Sequence, residues 1–188
     1  REQSVLFRGP SGSYGDYKIA SPSQVAKQLN TQFPLDPETG LYFTMVYGVL
    51  NTKTKDLTYV IAGHPAPILL SEGSAPDRLP GIGFPIGLVP DAEFAEQSVT
   101  LRAGDRVCLF TDGLIEMSNF EEEEFGEDRV LAWLQDQKQR PLDACFQDLA
   151  EHVRSWGRAA PFSDDISILG LEIAGADPSA LSLTTSLT

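Results

Sequence analysis

Four consecutive apolar residues, Val107-Cys108-Leu109-Phe110, run without interruption into Thr111-Asp112-Gly113. A run that is apolar on both alternating faces reads as a strand buried inside the fold. The chain must therefore supply other elements to cover it, and its patterning does so. Ser21-Pro22 gives an N-cap with proline at the first helical position, and Val25, Leu29 and Phe33 recur at a spacing of four, which predicts a helix from Pro22 to Gln32. Leu41 to Leu50, Asp56 to Ala62 and Pro67 to Leu70 are β-rich runs parted by turn formers and predict an antiparallel meander, with Asn51 to Lys55 as a hairpin loop. Ser71 to Pro90, rich in Pro and Gly, reads as an irregular excursion over the surface. Ser98 to Leu101 and Asp105 to Thr111 flank Ala103-Gly104 as a second pair of strands.

Further on, Val130, Leu131 and Leu134 mark one helix, and Leu142, Phe146, Leu149, Val153 and Trp156 trace an apolar stripe on another that Pro141 begins. Ser163 to Ile173 returns to strand. Before the first helix, Ser4 to Phe7 is a short apolar stub, and Gly9 to Gly15 reads as a loop. One domain is expected over residues 1–173, with a mobile tail over 174–188.

At 188 residues, 41% hydrophobic and 22% charged, the chain has the composition of a globular domain. Fourteen Lys and Arg against 27 Asp and Glu leave a net charge of −13, which repels a phosphate backbone and an anionic bilayer, so no nucleic acid and no membrane are expected as partners. No apolar run approaches the ~18 residues of a membrane span. Cys108 and Cys145 sit in apolar runs without metal-ligand spacing and read as buried free thiols of a reducing, cytoplasmic compartment.

Asp112 closes a strand too apolar to be exposed, and the bland alternative to a chemical role is a turn cap through its side chain. Asp164 and Asp165 open the last strand. Adjacent acids repel, and on a strand they point to opposite faces, so one of the two joins Asp112 more readily. Hard divalent cations such as Mg2+ and Mn2+ take oxygen ligands and would neutralise such a cluster. The acidic run Glu121 to Glu124 reads as a solvated loop or a helix N-terminal turn favoured by the dipole, with no fixed geometry for a metal. His64 reads as structural, and His152 lies on the polar side of its helix. No nucleophile elbow and no phosphate-cradling Gly-rich loop with a Lys is present.

Several ordered segments together resemble the SpoIIE/RsbU-type branch of the metal-dependent (PPM, type 2C) protein serine/threonine phosphatases. They are Ser21-Pro22 through Leu29-Asn30, Phe43 to Val49, Ala62-Gly63-His64-Pro65-Ala66-Pro67, Gly83-Phe84-Pro85-Ile86-Gly87, Leu101 to Asp105, Thr111-Asp112-Gly113, Phe125-Gly126 and Asp164-Asp165-Ile166. The likeness runs from about Ser21 to Ile173. It implies an α/β sandwich of two antiparallel sheets with helices outside. It also implies two Mn2+ or Mg2+ ions, with Asp112 and Asp164 as metal ligands, Asp165 and Gly113 in support, and a metal-activated water in place of a protein nucleophile. The implied partner is a phosphorylated regulatory protein of the anti-sigma-factor antagonist type, the implied setting is the output domain of a bacterial response regulator or sensor, and a homodimer is expected because relatives often dimerise.

Two departures shape the expectation. Ile61 stands where relatives usually carry Asn before Ala-Gly-His. The Gly-Gly-Asp and Asp-x-x-Gly-His-Gly motifs with which the family begins are not in the sequence, and Arg1 to Arg8 resembles the remnant of the helix that follows them. The domain is therefore expected either to lack its first strands or to continue upstream of Arg1. The alternative function is a catalytically impaired phosphatase-like module that binds a regulatory partner.

Overall fold

The computed structural model describes residues 6–8, 18–158, 164–174 and 181–187. The expected loop at Gly9 to Gly15, the residues Phe162 and Ser163, and tail positions 175–180 and 188 lie outside the described residues. In order, the elements are β1 (Phe7–Arg8), β2 (Lys18–Ile19), α1 (Pro22–Gln32), β3 (Met45–Leu50), β4 (Asp56–Ala62), β5 (Ile68–Leu70), β6 (Asp77–Arg78), β7 (Gln97–Thr100), β8 (Arg106–Phe110), α2 (Gly113–Glu116), α3 (Glu127–Asp136), α4 (Leu142–Trp156), β9 (Ser167–Ile173) and β10 (Leu181–Leu187). The chain divides into two compact units: residues 1–64 with 80–100, and residues 65–79 with 101–188.

In the first unit, β1 and β2 form an antiparallel pair with Phe7 opposite Ile19, so Phe7–Arg8 is strand rather than the helix remnant expected there. Helix α1 has the predicted bounds. Ser21 is extended ahead of it, Pro22 takes the first turn, and the Phe33 N–H closes the last turn on the Leu29 carbonyl at 2.9 Å. The sheet is β3-β4-β7, antiparallel throughout. The core joins Ala26 of α1, Val60 and Ala62 of β4, and Ile86, Ala92 and Phe94.

Two expectations change in this unit. Strand β3 starts at Met45 rather than Leu41, with Phe43 making only an isolated bridge to Ile86. The excursion from Ser71 to Pro90 does not simply cross the surface, because Ile86 is wholly buried. The reason is local bonding. Gly87, at φ +89°, donates its N–H to the Oδ1 of buried Asn30 at 2.7 Å, and its carbonyl accepts the Leu35 N–H at 2.9 Å. The Asn30 amide also donates to the Val89 carbonyl at 3.0 Å. One buried side chain thus anchors a segment that lacks a strand ladder.

In the second unit the sheet order is β10-β9-β8-β5-β6. Strand β8 lies inside it, between β5 and β9, with Val107, Cys108 and Phe110 buried, as its apolarity demands. The expected three-strand meander is corrected here. Strands β3 and β4 are a hairpin, but the Gly63-His64-Pro65-Ala66-Pro67 break releases the chain, and β5 pairs with β6 and β8 instead. Likewise β7 and β8 are not a pair, for β7 joins β4. Short strands flanking a Gly turn look like a hairpin in sequence, whereas β8 needs neighbours on both edges.

Helices α3 and α4 arise where the apolar periodicity predicts them. Val130 and Leu134, with Cys145, Phe146, Leu149 and Val153, share a core with Cys108, Phe110, Ile166 and Ile168. Strand β9 begins at Ser167 rather than Ser163. Leu181–Leu187, within the tail expected to be mobile, forms β10 and pairs with β9 along its length, from Leu181 opposite Ile173 to Leu187 opposite Ser167. Its Leu, Thr and Ser composition suits a strand once an open strand edge is available. Among the described residues no helix is long and apolar enough to cross a membrane.

Both cysteines are buried and free. Burial pushes the Cys108 thiol up to about 12 and the Cys145 thiol upward as well. The reactive thiolate is thereby suppressed at neutral pH. Iodoacetamide at pH 8 is expected to label neither cysteine in the folded protein and both in denaturant, read by intact mass. Prompt labelling of the native chain would contradict this packing.

Candidate functional site

Strands β8 and β9 are antiparallel with Phe110 opposite Ile168, so the C-terminal end of one meets the N-terminal end of the other at a single edge of the sheet. The pairing continues one step past β8, where the Thr111 N–H donates to the Ser167 carbonyl at 3.0 Å. The Thr111 side chain then takes over. Its Oγ1 accepts the Ser167 N–H at 2.9 Å and donates to the Asp165 carbonyl at 3.0 Å. Gly113 lies against the same stretch. A Cβ placed there would sit 2.9 Å from the Asp165 carbonyl oxygen and 3.2 Å from that of Asp164. Two motifs far apart in sequence thus occupy adjoining loops.

Asp112 precedes the short helix α2, which the sequence patterning does not predict. Its carbonyl accepts the Ile115 and Glu116 N–H groups at 2.9 and 3.0 Å, and its Oδ1 accepts the Gly113 N–H at 3.1 Å. The turn cap of the bland alternative is therefore present, yet it uses one oxygen. No side chain among the described residues donates to the other. Asp164 is arranged similarly, with Oδ1 accepting the Asp165 N–H at 2.7 Å. Asp112 is half-buried, while Asp164 and Asp165 are exposed. Because both acids precede β9, the alternation of strand faces does not separate them, which corrects that part of the expectation. What distinguishes them is bonding: the Asp165 backbone is tied to Thr111, whereas the Asp164 carboxylate folds over the next peptide.

The donors at this edge are hard oxygens, the chemistry that Mg2+ and Mn2+ require. Asp112 and Asp164 fit as two carboxylate anchors. Among the described residues no group of three or more His, Cys, Asp or Glu side chains is placed to hold a metal ion, so these residues do not close a coordination sphere.

The other candidates fall elsewhere. Glu121 to Glu124 is an exposed loop, as expected, and it has a defined shape. Asn119 Oδ1 accepts the Glu121 and Glu123 N–H groups at 2.9 and 3.1 Å, and Glu123 pairs with Arg129. The Arg129 guanidinium lies 4.2 Å from the Trp156 ring centre, a cation–π contact that fastens the loop to α4. His152 stacks on Trp133 with ring centres 4.7 Å apart and meets Phe125 edge-on. It belongs to this aromatic group and stands apart from the aspartates in the chain's bonding. Gly63, beside His64, has φ +69° and a Cβ there would lie 2.5 Å from Pro85, so Ala-Gly-His-Pro serves a close approach of two loops. The sequence motif Thr111-Asp112-Gly113 contains Thr111 but assigns its hydroxyl no role; a hydroxyl residue at a strand end directly before an acid is the available signal.

Among curated proteins, Protein IcfG of Synechocystis is 26% identical over 119 residues, covering 62% of this chain and 19% of that protein. Phosphoserine phosphatase RsbP of Bacillus subtilis is 30% identical over 100 residues, covering 51% of this chain and 25% of that protein. The matches thus span about a fifth to a quarter of those relatives' length. Among solved structures, the SiaA-PP2C domain of Pseudomonas aeruginosa superposes with a TM-score of 0.71 at 20% identity, over 80% of this chain and 60% of that one. That likeness shows the fold, a mixed helix and antiparallel-sheet architecture of the PP2C kind. The model of the family described as Stage II sporulation protein E matches residues 13–174, a span that takes in α1, both sheets' central strands and the loops carrying Asp112 and Asp164. With so much of the chain accounted for, this protein belongs to the SpoIIE family.

Proposed function

We propose that residues 1–173 act as a metal-dependent protein serine/threonine phosphatase domain. It would hydrolyse a phosphoserine or phosphothreonine on a cytoplasmic regulatory protein of the anti-sigma-factor antagonist type. The observation that carries this reading is the placing of Asp112 and Asp164 at the adjoining ends of β8 and β9, in a chain that resembles a phosphoserine phosphatase of the same family. Two Mn2+ or Mg2+ ions, when bound, supply Lewis acidity toward the phosphoryl oxygens and lower the pKa of the attacking water. Asp112 and Asp164 hold that charge. Each carboxylate is oriented by accepting the next residue's backbone N–H, which leaves its second oxygen to the site. Phosphoryl transfer needs positioning and charge stabilisation more than a protein nucleophile. Consistently, both thiols are buried and protonated at neutral pH.

A second reading is favoured by the incomplete ligand set among the described residues: a phosphatase-like module that binds a regulatory partner without turnover. Hydrolysis of p-nitrophenyl phosphate and of a phosphoserine protein, with and without Mn2+, separates the two. The expected result is Mn2+-dependent release of phosphate by this chain or by a chain extended upstream of Arg1. Release from neither would sink the phosphatase reading and leave the binding module. The expected homodimer is tested by sedimentation of the same samples.

A further inference from the structure

We propose that Thr111 is a positioning residue whose hydroxyl sets the spacing of the Asp112 and Asp164 carboxylates. This deepens the metal-site reading above and rests on it. A threonine hydroxyl offers one donor and two acceptor sites. Here the donor goes to the Asp165 carbonyl at 3.0 Å and an acceptor site takes the Ser167 N–H at 2.9 Å, so a single oxygen brackets Ile166 from both sides. Among the described residues these are the only side-chain hydrogen bonds between the end of β8 and residues 164–167. The positions they join are the informative part. Thr111 is covalently next to Asp112, and the Asp165 peptide is covalently next to Asp164.

Gly113 supplies the complementary half. With its missing Cβ it lets the Asp164-Asp165 backbone come so close that an added Cβ would sit 2.9 Å from the Asp165 carbonyl oxygen. Thr111 draws the two loops together and Gly113 leaves room for them to meet. The strand ladder stops one step short of them, at the backbone bond from Thr111 to Ser167, and does not reach residues 164–166. A divalent ion shared by carboxylates from two loops tolerates little error, since functional constellations must be held within about 0.5 Å of the productive geometry. Residues that orient metal ligands without touching the ion typically affect metal affinity by about 10- to 100-fold.

The test measures Mn2+ affinity directly, by following free Mn2+ with electron paramagnetic resonance during titration of the whole chain. Thr111→Val keeps the side-chain shape and removes the hydroxyl. Thr111→Ser keeps the hydroxyl, and Asp112→Asn is the reference for loss of a ligand. The expected result is Mn2+ affinity weakened about 10-fold or more in Thr111→Val and within about 3-fold of wild type in Thr111→Ser. Should the valine variant fail to fold, Thr111→Ala removes the same hydroxyl with less bulk and carries the same expectation. Wild-type affinity in the valine or alanine variant, with affinity lost in Asp112→Asn, overturns the positioning role and leaves the metal site standing. A wild-type chain whose Mn2+ binding is absent or unchanged by Asp112→Asn overturns the metal-site reading, and the positioning role falls with it.

Discussion

Asp112→Asn and Asp164→Asn are each expected to lower Mn2+-dependent phosphate hydrolysis by about 100-fold or more, while Asp165→Asn costs less than about 10-fold. The substitution is chosen because asparagine preserves the local bonds. Its Oδ1 still accepts the Gly113 N–H at position 112 and the Asp165 N–H at position 164, so caps and loops stay in place and only the negative charge is removed. A loss of activity without a loss of melting temperature then reports on ligation. Asp165 serves mainly through its backbone, which Thr111 holds and which the substitution leaves untouched. Initial rates at saturating Mn2+ and thermal melts in chelator check both parts. Equal losses at all three positions would refute the division of roles, and a large fall in melting temperature for Asp112→Asn would make that residue a turn cap above all.

Gly87→Ala is expected to destabilise the first unit by about 3 kcal/mol. Its φ of +89° is left-handed, which costs a side-chain-bearing residue roughly 1–2 kcal/mol. In addition, the new Cβ would lie 2.3 Å from the Phe33 carbonyl oxygen. Backbone cannot yield as a side chain tip does, and overpacking of this kind costs about 1–3 kcal/mol. The two hydrogen bonds that anchor the segment, from Gly87 to Asn30 and from Leu35 to Gly87, would have to shift together. Gly40→Ala is the control, since Gly40 shares a positive φ of +65° but a Cβ added there would meet nothing within 4 Å. That variant should lose about 1 kcal/mol, the backbone cost alone. Chemical denaturation followed by circular dichroism and by tyrosine fluorescence, all five tyrosines lying in the first unit, reads both. Equal losses in the two variants would show that backbone conformation alone matters and that the approach to Phe33 does not.

The amino-acid sequence by itself determined whatever depends on near neighbours along the chain. Ser21-Pro22 with Val25, Leu29 and Phe33 fixed α1 to its bounds, the stripe from Leu142 to Trp156 fixed α4, and the apolarity of Val107 to Phe110 placed β8 inside a sheet. Helical periodicity and burial on both faces are local properties, legible before folding. Asp112 stands out by the same logic, as an acid closing an apolar strand, whereas the choice of Asp164 over Asp165 rests on the family resemblance. Partnership was decided only by the tertiary structure. That β5 leaves β4 for β8, that β7 and β8 part, and that β10 fills the edge of β9 all turn on which strand edge is open, a property no single segment carries. The same holds at the site. The antiparallel register of β8 and β9 brings together two loops remote in sequence, and the hydroxyl of Thr111 and the bare Cα of Gly113 govern how closely they meet. Hydrogen bonds and contact distances between remote segments exist only once the chain has folded, which is why the aspartates could be named from the sequence and the clamp between them could not.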